Sequence, residues 1–338
     1  MRSERRIRII RRLLSLAVAT LVLAACGCAA GKKPPLELVT YGGSKLFRIG
    51  DRAYEQSVYR EDTSMKYAEL VGRTAEALSG KTRVYSLIVP TSYEMLLPEE
   101  AKGLIPDYAD TEACISEIYA AMHESVTRVD AREGLEEHRS EFIFFRTDHH
   151  WTARGAYLGY EAFCASKSIE PTPLDAFRSV SYPGFLGSFY TQSGGDESLL
   201  PEETVEAFYP LDDGVTLTVT DENGVTETRP MVADVTELPP SAKYMTFAGG
   251  NNPYSVIENP GVTDGSVLIV VKESFGNPML AFLCGHYSRI YVIDYRYWMG
   301  NLLDLARETN ADELLFINSF SAVNTGSSVG FLAMITEI

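Results

Sequence analysis

Short apolar runs alternate with stretches of helical spacing along most of this chain, and that alternation limits the fold more than any other feature. Val84–Val89, Val267–Val271, Ile290–Ile293 and Leu314–Ile317 are compact and largely apolar, the mark of strands buried on both faces. Between them Met65, Ala68, Val71, Ala75 and Leu78 recur at helical spacing, as do Ile115, Ile118, Met122 and Val126, followed by the extended run Phe142-Ile143-Phe144-Phe145. Thr152 can cap a further helix through Ala156, Tyr160 and Phe163, and others are expected near Met279–Leu283 and Leu302–Ala306. Strands that take turns with helices predict an α/β fold, with a parallel sheet covered on both faces.

Residues of about 175–262 break this rhythm. They hold much of the Pro and Gly, and VTLTVTDENGVTETRP reads as a hairpin turning at Asn223-Gly224. We take this stretch as a β-rich insertion in a domain spanning 41–338. It could wall the functional site or merely decorate the surface, and the sequence favours neither.

The first residues describe transport. Arg2, Arg5, Arg6, Arg8, Arg11 and Arg12 form a basic stretch ahead of the apolar run Leu13–Ala25. That run is short for a membrane span but fits a secretory signal peptide over 1–25. Leu23-Ala24-Ala25-Cys26 resembles a lipobox, which would make Cys26 a lipidated N-terminus. Residues 26–40 then serve as a tether, on an exported protein held to the extracytoplasmic face of a membrane through its lipid. A plain signal peptide or an uncleaved anchor is the alternative. Residues 1–25 carry six Arg and one Glu, so of the chain's 30 basic and 46 acidic residues the remainder keeps 24 and 45, a net charge of −21. Such a surface repels nucleic acid and anionic head groups, and neither is an expected partner. Cys28, Cys114, Cys164 and Cys284 show no metal-ligand spacing and read mainly as buried small apolar residues.

Two segments carry chemistry. In FFRTDHHWT, Asp148 and His150 stand two apart, so an extended backbone would point both to one side and His149 to the other. A carboxylate on one ring nitrogen leaves the other nitrogen as a base. Capping of the following helix is the competing reading for the pair. In VLIVVKESFG, Ser274 ends a strand ahead of a turn. That is the ligand-binding edge of a parallel sheet, where the next helix start can hold an oxyanion. Acid, imidazole and hydroxyl together are the parts of a Ser-His-Asp acyl-transfer site.

FFRTDHHWTARGAY resembles the signature of the DHHW family of bacterial exported proteins. It is also similar to the Asp-x-His-Trp block of the SGNH-hydrolase-like proteins that O-acetylate alginate and related exopolysaccharides. In those proteins the block precedes a strand ending in Gly or Asp, then Asp, Thr or Glu, then Ser-Phe. Asp148, His150 and Ser274-Phe275 match, in the same chain order, whereas Lys272-Glu273 departs from the commoner residues before the Ser. The resemblance implies a flavodoxin-like, SGNH-hydrolase-like three-layer α/β/α fold and acyl chemistry without a cofactor. Ser274 would attack an acyl ester, His150 would take its proton, and Asp148 would orient His150. The Ser274 N–H would bind the oxyanion, with Gly249, Gly250 and Asn251 of FAGGNNP as candidate further donors; a simple Gly/Asn turn is the other reading. Arg146 could enter the same cleft or form a surface ion pair, and Trp151 and Tyr190 could stack on sugar or pack in the core. His149 could bind substrate. Expected partners are a polysaccharide substrate and a membrane-bound O-acyltransferase as acetyl donor.

Three functions therefore compete. The first is a serine O-acyl (acetyl) transferase or esterase on cell-envelope or secreted polysaccharide. The second is a carbohydrate-binding or assembly lipoprotein of the same fold without turnover. The third, a metal site of His149, His150 and Asp148 with Glu273 or His286, ranks last, because adjacent His residues on a strand rarely share one ion and no HExxH-like spacing is present.

Overall fold

The structure is a computed structural model that describes residues 37–42 and 45–336. The expected signal peptide, Cys26, Cys28 and the tether up to residue 36 lie outside the described residues. Among the described residues no helix is long and apolar enough to cross a membrane.

The apolar runs form the strands their composition predicts. β1 (Leu38–Thr40), β2 (Leu46–Ile49) and β3 (Arg52–Glu55) make a small antiparallel sheet. β4 (Arg83–Val89) and β5 (Val126–Val129) follow, then β6 (Ser179–Phe185), β7 (Glu203–Phe208), β8 (Thr216–Thr220), β9 (Thr226–Arg229) and β10 (Tyr254–Glu258). β11 (Val267–Lys272), β12 (Arg289–Asp294) and β13 (Glu313–Ser319) complete the set. Five strands lie parallel in the order β5-β4-β13-β11-β12, with Val270 of β11 opposite Val292 on one side and Leu315 on the other. Each of these strands feeds two cores. Leu268, Val270, Leu315 and Ile317 enter one, while Ile269, Val271, Leu314 and Phe316 enter the other, as the two-residue side-chain period requires.

Helices cover both faces, giving the three-layer α/β/α arrangement. Glu61–Ala77, Thr111–Ala121, Leu302–Glu308 and Gly326–Ile335 bury Val71, Ile118, Leu303 and Leu332 against one face. Ala153–Ser166 buries Ala156, Tyr160 and Phe163 against the other. Thr152 caps that helix, its hydroxyl accepting the Gly155 N–H. Counted from β11 as first strand, with β4 and β5 as fourth and fifth, the sheet reads 2-1-3-4-5 from the β12 side. That is the flavodoxin order on a circularly permuted chain, and it sets the topological switch point between β11 and β13.

The region expected as an insertion is woven into this frame. β6 and β7 pair with each other, whereas β10 joins β12 antiparallel and carries β8 and β9 beyond it. The β8–β9 hairpin turns through Asp221–Val225, where Asp221 accepts N–H groups from Asn223 and Val225 and Gly224 takes φ +77°. Phe177, Tyr182, Val205 and Phe247 pack into the same core as Tyr160 and Phe163. Cys114, Cys164 and Cys284 are buried and free.

Two local expectations change. The run at 142–145 is not a ladder strand and makes one isolated bridge, Phe144 to Trp151. The chain doubles back there, with Thr152 N–H on Ile143 O and Phe145 N–H on His150 O. The helix expected near Met279 begins earlier, as a 3-10 run over Ser274–Met279 that leads into Leu280–Leu283.

Candidate active site

The doubled-back loop brings Asp148 and His150 together. His150 Nδ1 lies 2.6 Å from Asp148 Oδ1, which also accepts the His150 backbone N–H at 3.0 Å. His150 Nε2 lies 2.8 Å from Ser274 Oγ, across 124 residues of sequence. Asp148, His150 and Ser274 are 5%, 6% and 8% exposed, so the three groups interact with little competition from water.

The second Asp148 oxygen accepts the Ser188 N–H at 2.7 Å. The backbone can come so close because residue 187 is Gly; a Cβ there would collide with the Asp148 side chain. Burial alone would push the Asp148 carboxyl up. The charges of His149 and His150, the hydrogen bond with His150 and the Ser188 N–H outweigh burial and hold it well below the usual carboxylate range. Asp148 is therefore an anion built to accept from imidazole.

His150 is also clamped by rings. Tyr244 stacks on it at 4.0 Å with 15° between planes, and His149 lies on it at 3.8 Å. The Tyr244 hydroxyl donates to the Ser274 carbonyl at 3.1 Å, so one side chain touches both His150 and Ser274. Because the loop turns instead of extending, His149 does not point away from the pair. Its ring rests on His150, and its Nδ1 is 2.8 Å from Ser188 Oγ. Burial, then the charge of His150, lowers the His149 pKa.

The turn at Ser274 gives Lys272 and Glu273 each a structural task. Lys272 is buried and its ammonium lies 3.1 Å from Asp294, which Arg296 also grips through two hydrogen bonds. Glu273 caps the 3-10 run, accepting the Phe275 N–H at 3.0 Å. Beyond Ser274 lies a cleft of about 280 Å³ at the switch point, lined by His149, Phe189, Gln192 and Phe275 together with Ser57, Arg296, Ser321 and Thr325.

Other expected site residues sit elsewhere. Arg146 turns to Asp51, Glu203 and the Pro201 carbonyl and does not line the cleft. Trp151 is fully buried and donates to the Phe275 carbonyl at 2.8 Å, so it braces the nucleophile turn from the core and cannot stack on a sugar. Tyr190 packs beside Phe189 against Leu46 and Leu199, outside the cleft lining. The Gly249–Asn251 loop supports the turn from behind: Asn251 accepts from Asn277, and the Gly250 N–H is spent on Phe247 O. Both Gly take positive φ, and neither lines the cleft.

Asp148, His149 and His150 hold ligand-type atoms within 4.8 Å of one another. Both His150 nitrogens already face Asp148 and Ser274, so an ion there would have to break the pairing. His286 bonds Tyr160, and Glu273 is taken by backbone donors, so neither joins that trio.

Sequence reasoning missed Gly187, Ser188, Glu203 and Tyr244. The buried Glu203 carboxylate accepts the N–H groups of Arg146 and Thr147, and Thr147 in turn accepts from Gly187 and Phe189. The only local hint was small-polar Gly187-Ser188 after Phe185-Leu186.

No curated protein matches the chain. A DHHW family protein from Eubacterium siraeum superposes with a TM-score of 0.77 at 25% identity, over 88% of this chain and 97% of that one. Bacillus cereus PatB1 with a sulfonyl adduct gives 0.69 at 14% identity, over 87% and 99%. The O-acetyltransferase domain of Pseudomonas putida AlgJ gives 0.48 at 14% identity, over 89% and 99%. The family model described as DHHW protein matches residues 39–293, and the chain belongs to the DHHW protein family.

Proposed function

We propose that this protein is an exported serine enzyme that transfers or hydrolyses O-acyl groups, acetyl foremost, on cell-envelope or secreted polysaccharide. The observation that carries this reading is the continuous line Asp148–His150–Ser274, with hydrogen bonds of 2.6 and 2.8 Å opening on one cleft. As Ser274 Oγ bonds to the acyl carbon, its proton passes to His150 Nε2, and Asp148 stabilises the imidazolium that forms. The carbonyl oxygen becomes an oxyanion, for which the Ser274 N–H is our assigned donor; the Phe275 N–H already serves Glu273. Collapse expels the first alcohol, which takes the proton from His150 and leaves an acyl-Ser274 ester. A sugar hydroxyl or water then gives its proton to His150 and attacks that ester, and as the bond to Ser274 Oγ breaks His150 returns the proton to it, restoring Ser274.

The polar lining, with Gln192, Ser321 and Thr325 beside Phe189, suits a polyhydroxyl acceptor. Lipidation at Cys26 would hold the enzyme at the membrane, and a membrane-bound O-acyltransferase would supply acetyl groups.

The test is Ser274 labelling. PatB1, which shares the fold, is seen with a sulfonyl adduct, so phenylmethylsulfonyl fluoride is the reagent of choice. One adduct by intact mass, lost in Ser274→Ala, with p-nitrophenyl acetate turnover lost alongside, is expected. No adduct and no turnover, with glycan retained in a pull-down, would replace the enzyme by a binding protein.

A further inference from the structure

The residue directly before the nucleophile is a buried carboxylate that the reaction above does not use. Glu273 is 5% exposed. Its Oε1 accepts the Ser319 N–H at 2.8 Å, its Oε2 accepts the Phe275 N–H at 3.0 Å, and Ser274 Oγ lies 3.3 Å from Oε2. Burying a charge is costly unless donors satisfy it, and here the donors come from the ends of two strands that lie side by side in the sheet. Phe275 follows β11 and Ser319 ends β13, the two strands that flank the switch point.

Resting on the reading of Ser274 as nucleophile, we propose that Glu273 is the positioning residue of this site, fixing where Ser274 Oγ points. The Ser274 hydroxyl has one proton and two neighbouring acceptors, His150 Nε2 at 2.8 Å and Glu273 Oε2 at 3.3 Å. The nearer one is productive. The farther one confines the hydroxyl and accepts its hydrogen bond when it swings away from His150; the proton stays on Oγ, and no bond is made or broken. The side-chain length matters too. Asp at this position would reach the Phe275 N–H two residues on as an Asx turn, but is one methylene short for holding Ser319 as well. The full Glu therefore ties the nucleophile turn to the neighbouring strand end.

The experiment compares the full chain with Glu273→Gln and Glu273→Asp. It follows Ser274 labelling by phenylmethylsulfonyl fluoride, kcat and KM for p-nitrophenyl acetate, and thermal unfolding. Gln keeps the shape but sets an NH2 against a backbone N–H. We expect its labelling rate and kcat to fall on the order of a hundredfold, with KM within about threefold. Asp, which keeps the charge, should regain about tenfold of that loss. Wild-type labelling rate and kcat in both variants, at a lowered Tm, would make Glu273 a structural cap and overturn the proposal. So would a raised KM at unchanged kcat, which would make it a substrate contact. If Gln does not fold, Asp decides by the same split. Absence of any Ser274 adduct in the wild type overturns both this proposal and the acyl-transfer reading, whereas an adduct that forms equally in all three overturns this one alone.

Discussion

The proposed nucleophile and the proposed base stand on two different kinds of support. Ser274 follows β11, whose residues are hydrogen-bonded to β12 and β13 on both sides and whose side chains fill both cores. Asp148 and His150 stand on an irregular loop with one bridge to itself, held by Glu203, Gly187, Ser188 and Tyr244 from the β6–β10 region. A position set by a ladder of main-chain bonds is shared among many groups. A position set by a few long-range polar contacts depends on each of them. The base half should therefore be exposed to substitutions far outside its motif, and the nucleophile half much less so.

The largest effects measure the triad itself and set the scale. Ser274→Ala and His150→Ala should each lower kcat for p-nitrophenyl acetate by about 100,000-fold or more, and Asp148→Asn by about 10,000-fold through the wrong imidazole tautomer. The comparison is broken at Gly187. Gly187→Ala sets a methyl against the Asp148 side chain and displaces the Ser188 N–H from its carboxylate. A displacement of this kind should cost on the order of a hundredfold in kcat. Full activity in Gly187→Ala would mean that the loop holds Asp148 without help from the β6–β10 region.

The same contrast explains what could be read in the sequence. VLIVV, LLFI and the helical stripe through Val71 and Ala75 record burial directly, so strands, helices and the parallel sheet were legible. Their order in the sheet was not, because a circular permutation leaves every local pattern unchanged. Asp148, His150 and Ser274 were legible as residue types suited to acyl transfer. The spacing of two between acid and base was right for the wrong reason, since a turn and not a strand joins them. For Arg146 an ion pair and for Trp151 core packing were the alternative readings, and those are the ones the structure shows; nothing local distinguishes a cleft side from a core side in an irregular loop. Gly187, Ser188, Glu203 and Tyr244 act on residues far along the chain, and no short pattern encodes such contacts.

Acid sharpens the comparison at the level of stability. The Asp148 pKa in the fold lies well below its value in the unfolded chain, near 4. A depressed carboxylate stabilises the fold above the unfolded pKa, and the contribution is lost as pH falls below about 4 toward the folded value. Denaturant midpoints measured from roughly pH 5 down to pH 2 should fall more steeply for the wild type than for Asp148→Asn, which has no proton to take up. Parallel slopes would show that the loop, like the nucleophile turn, stands without that charge.

The smallest effect is expected at His149, adjacent to the base and lining the cleft. Its ring presses on His150 at 3.8 Å, but Tyr244 covers the imidazole at 4.0 Å, and neither bond of His150 to Asp148 or Ser274 passes through His149. His149→Ala removes one packing surface and the contact with Ser188 Oγ, while the Ser188 N–H still reaches Asp148. A kcat loss of about threefold to tenfold is the expected outcome, well short of the loss at His150. If His149→Ala instead matches His150→Ala, the two imidazoles act as one unit. The trio of Asp148, His149 and His150 would then have to be reconsidered as the functional group, with metal titration of the purified protein deciding between a shared proton and a shared ion.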